Sequence, residues 1–212
     1  MSTAARGASA VFVLLVMASP VRAQQSTPSA PQHIASVDIA KFFAGAALGL
    51  GLHESGHVVL DVVFGASPGV RKVSAGFIPF FAISHNPVSP VREFAISSAG
   101  FWVQHGTSEM LLSRHPNLRD EHAPVAKGLL AFNVLTSVMY AGTAFVRRGP
   151  VERDTRGMAV SANVPEPWIG VSLLVPAMLD GARYFRPHSP WLRWTSRASK
   201  VAGVLLIVKA TR

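Results

Sequence analysis

In the stretch FFAGAALGLGLHESGHVVL, residues 42–60, two histidines stand four positions apart inside an almost wholly apolar run. On a helix, His53 and His57 lie one above the other on a single face, so both imidazoles can reach one metal ion. Glu54, directly after the first histidine, can then take a proton from water beside that metal. Ionisable residues are costly in apolar surroundings and usually mark a functional site there. The stretch therefore predicts a buried helix with a metal centre, and the alternative is a chance motif in a purely structural membrane protein.

The composition is that of a small integral membrane protein. The 212 residues, enough for one domain, are 49% hydrophobic and only 15% charged, with a mean hydropathy of +0.32. The net charge of +9 comes from basic residues that cluster between apolar segments, as at Arg71-Lys72 and Arg147-Arg148. Such flanks favour acidic lipid headgroups as the partner, and no basic face interleaved with aromatic residues indicates nucleic acid. Because the chain has no cysteine, any zinc must be held by histidine and carboxylate.

The N-terminus has the features of an export signal. Residues 8–18 form a short apolar core, and Val21-Arg22-Ala23 is a plausible cleavage site. We therefore expect a signal peptide over residues 1–23, with an uncleaved anchor as the alternative, and a disordered lead-in over residues 24–35, which are rich in Gln, Ser and Pro. Residues 36–212 then form a single membrane domain, and the signal together with the basic loops favours a bacterial inner membrane.

Four long apolar segments predict a mainly α fold, a polytopic membrane helix bundle. They cover about residues 36–64, 91–113, 127–146 and 165–185. Residues 70–85 combine Val, Ile and Phe with Gly and Pro, which favours a short β-like hairpin or loop after the first helix. The remaining stretches are expected to be polar loops or a short apolar tail: residues 114–126, 147–163, 186–200 and 201–208.

A hydrolytic zinc needs a third protein ligand, and Asp180 is the candidate that the sequence favours. Of the five aspartates it alone follows a long apolar stretch, where a carboxylate must find a metal, a proton or a partner. The alternative is an ion pair with Arg183, three residues on. Three further polar residues within apolar segments are weaker candidates for substrate binding or for tuning the site, with helix–helix hydrogen bonds as the alternative: Gln104, His105 and Asn133.

The order of these motifs resembles the site-2 protease family of intramembrane zinc metalloproteases. The metal helix is followed by residues 70–77, similar to the family's β-rich element, by residues 96–104, similar to its second core helix, and by Leu179-Asp180-Gly181. The chain departs from the family pattern at Ser172, where Asn is usual, and at Phe101, where Pro is usual. The resemblance therefore indicates a divergent member, with zinc on His53, His57 and Asp180.

The basic loops also predict a topology. A cleaved signal starts the first helix on the exported side, and the Arg71-Lys72 loop places its end inside. The third segment then returns inward, so that residues 147–163 lie inside as well. The fourth segment would run outward and carry Asp180 away from the side that His57 approaches. One segment must therefore be a half-span, re-entrant, or broken at Pro176.

These features predict an enzyme that hydrolyses peptide bonds of membrane-spanning proteins, with Glu54 as the general base and Zn2+ as the cofactor. Two other functions stay open. One is a catalytically inactive membrane scaffold or metal-binding regulator of the same fold, and the other is a zinc hydrolase of lipid or small amide substrates.

Overall fold

The computed structural model describes residues 36–75 and 78–210, which form six helices and one β-hairpin. The predicted signal peptide and lead-in, residues 1–35, lie outside these ranges. The elements in chain order are α1 (Ser36–Val63), β1 (Gly69–Ala75), β2 (Ile78–Ser84), α2 (Pro90–Arg114), α3 (Pro124–Val146), α4 (Asp154–Ser161), α5 (Glu166–Phe185) and α6 (Pro190–Ala210).

Proline and left-handed residues set several of these boundaries. Proline stands in the first turn of α2, α3 and α5, where its missing N–H has no helical partner to lose. The chain leaves α1 through Gly65 at φ 67° and leaves α3 through Arg147 at φ 53°. The strands pair antiparallel, with Val70 opposite Ile83 and Arg71 opposite Ala82.

Helix α1 lies against α2 and α3, and α3 also packs on α5. The crossing of α1 and α3 depends on two glycines. A Cβ on Gly45 would collide with the carbonyl oxygen of Val125, and a Cβ on Gly128 would collide with that of Phe42. Small residues at these two positions therefore let the helix backbones touch, as is common where helices pack in membranes.

The mainly helical fold and the short antiparallel hairpin are confirmed, and the four predicted apolar segments correspond to α1, α2, α3 and α5. The expected count of about four helices needs correction, because the loop predicted over 147–163 contains α4 and the basic stretch and tail after residue 186 form the single helix α6. Among the described residues, one helix, α3, is long and apolar enough to cross a membrane by length and composition.

Polar and apolar side chains share the interior, and many other large apolar side chains face outward. Asn133 and Ser137 of α3 are buried with Leu129 and Leu130, whereas Leu135 and Met139 of the same helix are 60% and 70% exposed. Buried polar residues together with exposed large apolar residues also occur on α1 and α5. Buried polar residues include Ser98, Gln104, Ser108 and Asp180, and exposed apolar ones include Phe43, Val59, Val175 and Met178.

Candidate metal centre

Three side chains from two distant parts of the chain converge beside α1. His53 and His57 are both buried on the face of α1 that meets α2, and Asp154 is the first residue of α4. The Nε2 atoms of the two histidines are 3.2 Å apart. Oδ2 of Asp154 lies 3.3 Å from Nε2 of His53 and 3.6 Å from Nε2 of His57. The three atoms form a nearly equilateral triangle.

This triangle has the size that a metal ion requires. Ligand atoms about 2.05 Å from a tetrahedral zinc lie about 3.3 Å from one another, close to the three observed edges. When both histidines are neutral and unprotonated at Nε2, all three atoms offer a lone pair, and one cation could be held by both Nε2 atoms and the carboxylate. The group of His53, His57 and Asp154 could therefore hold a metal ion.

A hydrogen bond to the backbone fixes the orientation of the His57 imidazole. Nδ1 of His57 lies 2.8 Å from the carbonyl oxygen of Ile96, to which it donates, so in the neutral ring Nε2 keeps its lone pair and could bind a metal ion. Nδ1 of His53 is buried and has no partner within the described part of the chain. Phe101 and Tyr140 hold that ring instead, with centroids 5.2 Å and 6.1 Å away.

Two glycines bring α2 close enough to enclose the histidines. A Cβ on Gly56 would lie 2.9 Å from the carbonyl carbon and oxygen of Ala99, so α1 and α2 touch backbone to backbone there. A Cβ on Gly100 would lie 2.5 Å from Nδ1 and 2.6 Å from Nε2 of His53. The absence of a side chain at Gly100 thus creates the space that the His53 ring occupies.

A buried ion pair places Asp154. Nε and Nη2 of Arg153 donate to the two carboxylate oxygens of Glu166 at 2.8 Å and 2.7 Å, and Oγ1 of Thr155 donates to Oε1 of the same residue at 2.7 Å. Glu166 therefore fixes the residues on both sides of Asp154, and a bidentate arginine–carboxylate pair is geometrically restrictive. The Tyr140 hydroxyl faces the carboxylate of Asp154 itself.

The surroundings of Asp154 keep its carboxylate charged. Burial by itself raises the pKa of this group, but the adjacent His57 and His53 lower it further than burial raises it, and the net pKa lies well below its usual range. Asp154 is therefore ionised at neutral pH and available as a ligand.

The metal site opens into a largely apolar cavity of about 580 Å³. Glu54 lines this cavity together with the three ligands, which places a carboxylate beside the triangle. Residues Phe81, Ala82 and Ile83 of β2 form part of its wall, and α1 and α3 supply apolar side chains such as Phe43, Leu50, Phe132 and Met139. A substrate in this cavity would contact the hairpin on one side and the helices on the other.

Asp180, the third ligand expected from the sequence, does not join the histidines. Its Oδ1 accepts hydrogen bonds from Oγ of Ser196 at 2.6 Å and from Nζ of Lys200 at 2.8 Å, and it lies 3.6 Å from Arg183. The two hydrogen-bond donors lie on α6, and the contact with Arg183 agrees with the ion pair that the sequence offered as the alternative. Asp154, and not Asp180, completes the group that could hold a metal ion.

The three weaker candidates lie away from the cavity. Nδ2 of Asn133 donates to the carbonyl of Gln104 at 3.2 Å and to Oγ1 of Thr107 at 2.8 Å, so it joins α3 to α2. Gln104 lies in the same polar seam, and its Oε1 faces the hydroxyl of Ser137. His105 is buried, with its ring 6.1 Å from that of Trp102. The contacts of Asn133 and Gln104 join α3 to α2 and fit helix–helix bonding, whereas Trp102 and His105 lie on the same helix.

Sequence reasoning missed Asp154 and Tyr140. The predicted topology did favour Asp154 in one respect, because it places residues 147–163 on the side of the membrane that His57 approaches. Tyr140 gave no signal, because in the mostly apolar third segment the sequence singled out Asn133 instead. Comparison of the chain with protein-family models, with curated proteins and with solved structures found no match. The site must therefore be interpreted from its own geometry.

Proposed function

We propose that this chain is an intramembrane zinc metalloprotease that hydrolyses peptide bonds of membrane-spanning substrates. The observation that carries the proposal is the triangle of His53, His57 and Asp154, with edges of 3.2–3.6 Å, at the wall of a cavity that also holds Glu54. Two imidazoles and one carboxylate, with room left for water, are a ligand set of hydrolytic zinc enzymes.

A membrane location is supported by the distribution of side chains. Helix α3 has the length and hydropathy of a span. Large apolar residues are exposed on α1, α3 and α5 while polar residues are buried between them, and this arrangement suits lipid outside and a polar site inside. We assign α1, α2, α3 and α5 to a polytopic membrane bundle, in the inner membrane of a bacterium as the signal and basic loops suggest.

The residues of the site have different roles in the proposed hydrolysis. A zinc ion on the three ligands would supply Lewis-acid activation of water and of the scissile carbonyl. Glu54 accepts the proton of the attacking water and delivers it to the leaving amine, a role typically worth about 10²–10⁴-fold in rate. Tyr140 and Phe101 hold the His53 ring, and Glu166 holds the segment that carries Asp154.

The shape of the cavity favours a peptide over a lipid. Strand β2 supplies part of the wall, so a locally unwound substrate segment can lie extended beside it and form backbone hydrogen bonds. The apolar side chains opposite accept the side chains of a membrane-spanning segment. An acyl chain would fill the apolar part of the cavity but would make no use of a strand.

The test is proteolysis by the full-length chain in proteoliposomes. A panel of single-span membrane peptides is co-reconstituted with wild type, with Glu54→Gln and with wild type treated with a zinc chelator, and products are identified by mass spectrometry. We expect cleavage within a membrane segment by wild type alone. Zinc binding without cleavage of any peptide would favour the scaffold or regulator. Hydrolysis of phospholipids or N-acyl amides but not of peptides would favour the other zinc hydrolase.

A further inference from the structure

A second cavity, shallow and largely open to the outside, has a volume of about 620 Å³ and lies where the end of α3, helix α4 and the start of α5 meet. Its charged lining residues are Arg147, Arg156 and Glu166, with Asn163 beside them. The remaining lining residues are apolar: Ala159, Val160, Val164 and Pro165. This cavity shares no lining residue with the cavity beside His53, His57 and Asp154, but its Glu166 holds the two neighbours of Asp154.

The two arginines in this cavity are not neutralised by ion pairs. Glu166 is the only carboxylate among the residues that line it, and both of its oxygens already accept hydrogen bonds from Arg153 and Thr155. Arg147 and Arg156 are exposed and make no ion pair with any described residue. The cavity therefore carries an excess of about two positive charges at neutral pH, and guanidinium groups bind phosphate with particular geometric fit.

The surroundings indicate an anion that is attached to an apolar chain. Arg147 directly follows α3, the helix with the properties of a membrane span, so it lies where lipid headgroups would be. Val160 at the rim is 71% exposed and Trp168, on the first turn of α5, is 66% exposed. The exposed Val160 lines the same cavity as the two arginines, and Trp168 stands two residues after Glu166 of that lining. An apolar side chain beside two guanidinium groups matches a molecule with an anionic head and a hydrocarbon tail.

We propose that the cavity between α3, α4 and α5 binds the phosphate of an anionic phospholipid, with Arg147 and Arg156 on the headgroup. The proposal rests on the membrane location in the proposed function but not on zinc or proteolysis. The lipid would join the end of α3 to α4, the helix whose first residue is Asp154. It would thus act as a structural ligand of the segment beside the metal site.

The experiment is native mass spectrometry of the full-length chain in mild detergent, titrated with phosphatidylglycerol or with phosphatidylcholine. The variant Arg147→Gln with Arg156→Gln is compared with a matched control, Arg148→Gln with Arg186→Gln. The control removes the same charge from exposed arginines that do not line the cavity. Single variants at Arg147 and Arg156 replace the double variant if circular dichroism shows that it is unfolded. Metal content is measured in the same samples, so that loss of zinc and loss of lipid are distinguished.

We expect one phosphatidylglycerol per wild-type chain, with weaker binding of phosphatidylcholine. Removing both cavity arginines should weaken phosphatidylglycerol binding at least about tenfold, since each basic residue near an anionic headgroup typically contributes about fivefold, and the control should bind as wild type does. Equal weakening in the control would mean diffuse attraction and would overturn the proposal. Inorganic phosphate that competes at the same concentration as the lipid would also overturn it, because the apolar rim would then contribute nothing.

Discussion

Replacing Gly100 by Ala places a methyl group against the His53 ring. The new Cβ would lie 2.5 Å from Nδ1 and 2.6 Å from Nε2, whereas ordinary contact between such atoms is about 3.5 Å. The ring must therefore move by about 1 Å, and Tyr140, stacked on the His53 ring, limits where it can go. A metal site tolerates displacements of its ligands of about 0.2 Å. The movement required is about five times that tolerance.

The Gly100→Ala variant should change the free energy of unfolding much less than it changes the affinity for zinc. Overpacking typically costs about 1–3 kcal/mol, and replacing Gly by Ala in a helix returns about 1 kcal/mol, so the free energy of unfolding should fall by only about 1 kcal/mol. Zinc affinity should fall by roughly 100-fold or more. The reason is that Nε2 of His53 no longer lies 3.2 Å from Nε2 of His57 and 3.3 Å from Oδ2 of Asp154, so the three atoms cannot bind one ion together. A large loss of affinity with a small loss of stability is the expected signature.

The assay is chelator competition for zinc on the detergent-solubilised chain, with thermal unfolding measured in parallel. Gly106→Ala is the matched control on the same helix, because a Cβ there meets nothing within 4 Å. It should bind zinc as wild type does. Wild-type zinc affinity in Gly100→Ala would refute the argument that this glycine makes room for a metal-binding histidine.

Three further substitutions test other parts of the account. Glu54→Gln should lower peptide hydrolysis by about 10²–10⁴-fold with zinc retained, measured as cleavage rate in proteoliposomes; a residual rate near wild type would exclude Glu54 as the base. Glu166→Gln should weaken zinc binding about 10–100-fold by releasing Arg153 beside Asp154, measured by chelator competition, and unchanged affinity would show that the pair does not place the ligand. Glu121→Gln, at a surface pair with His115, is the control for both. Asp180→Asn should keep zinc but lower the free energy of unfolding by about 1–3 kcal/mol, because Lys200 and Arg183 lose one buried charged partner and keep the other, Glu109; a change in the free energy of unfolding below about 0.5 kcal/mol in denaturant titration would contradict this.

Local patterns predicted the parts of this protein that depend on neighbours in sequence. The pair His53 and His57 follows from the helical repeat alone, since residues four apart share a face. The four long apolar segments and the hairpin are likewise visible from hydropathy, β-branched residues and turn residues. In each case the interaction that fixes the element lies within about one turn or one strand pair.

The third ligand depends on a contact that no local pattern encodes. Asp154 is 101 residues from His53 and stands in a stretch of arginines that reads as a solvated loop. The sequence favours Asp180 as the third ligand because a carboxylate in an apolar helix needs a partner. Its partners Ser196 and Lys200 lie four residues apart on one face of α6. The many basic residues of this stretch had indicated a polar loop and not a helix. In the topology predicted from the basic loops, Asp180 lies away from the side that His57 approaches unless one segment is a half-span, re-entrant or broken at Pro176.

Metal content of the purified full-length chain decides whether His53, His57 and Asp154 bind zinc. Wild type is compared with His57→Ala, Asp154→Ala and Asp180→Ala by elemental analysis, after folding is checked for each. We expect about one zinc per chain in wild type and in Asp180→Ala, and none in the other two. Zinc retained by Asp154→Ala and lost from Asp180→Ala, or no metal in wild type, would contradict this expectation.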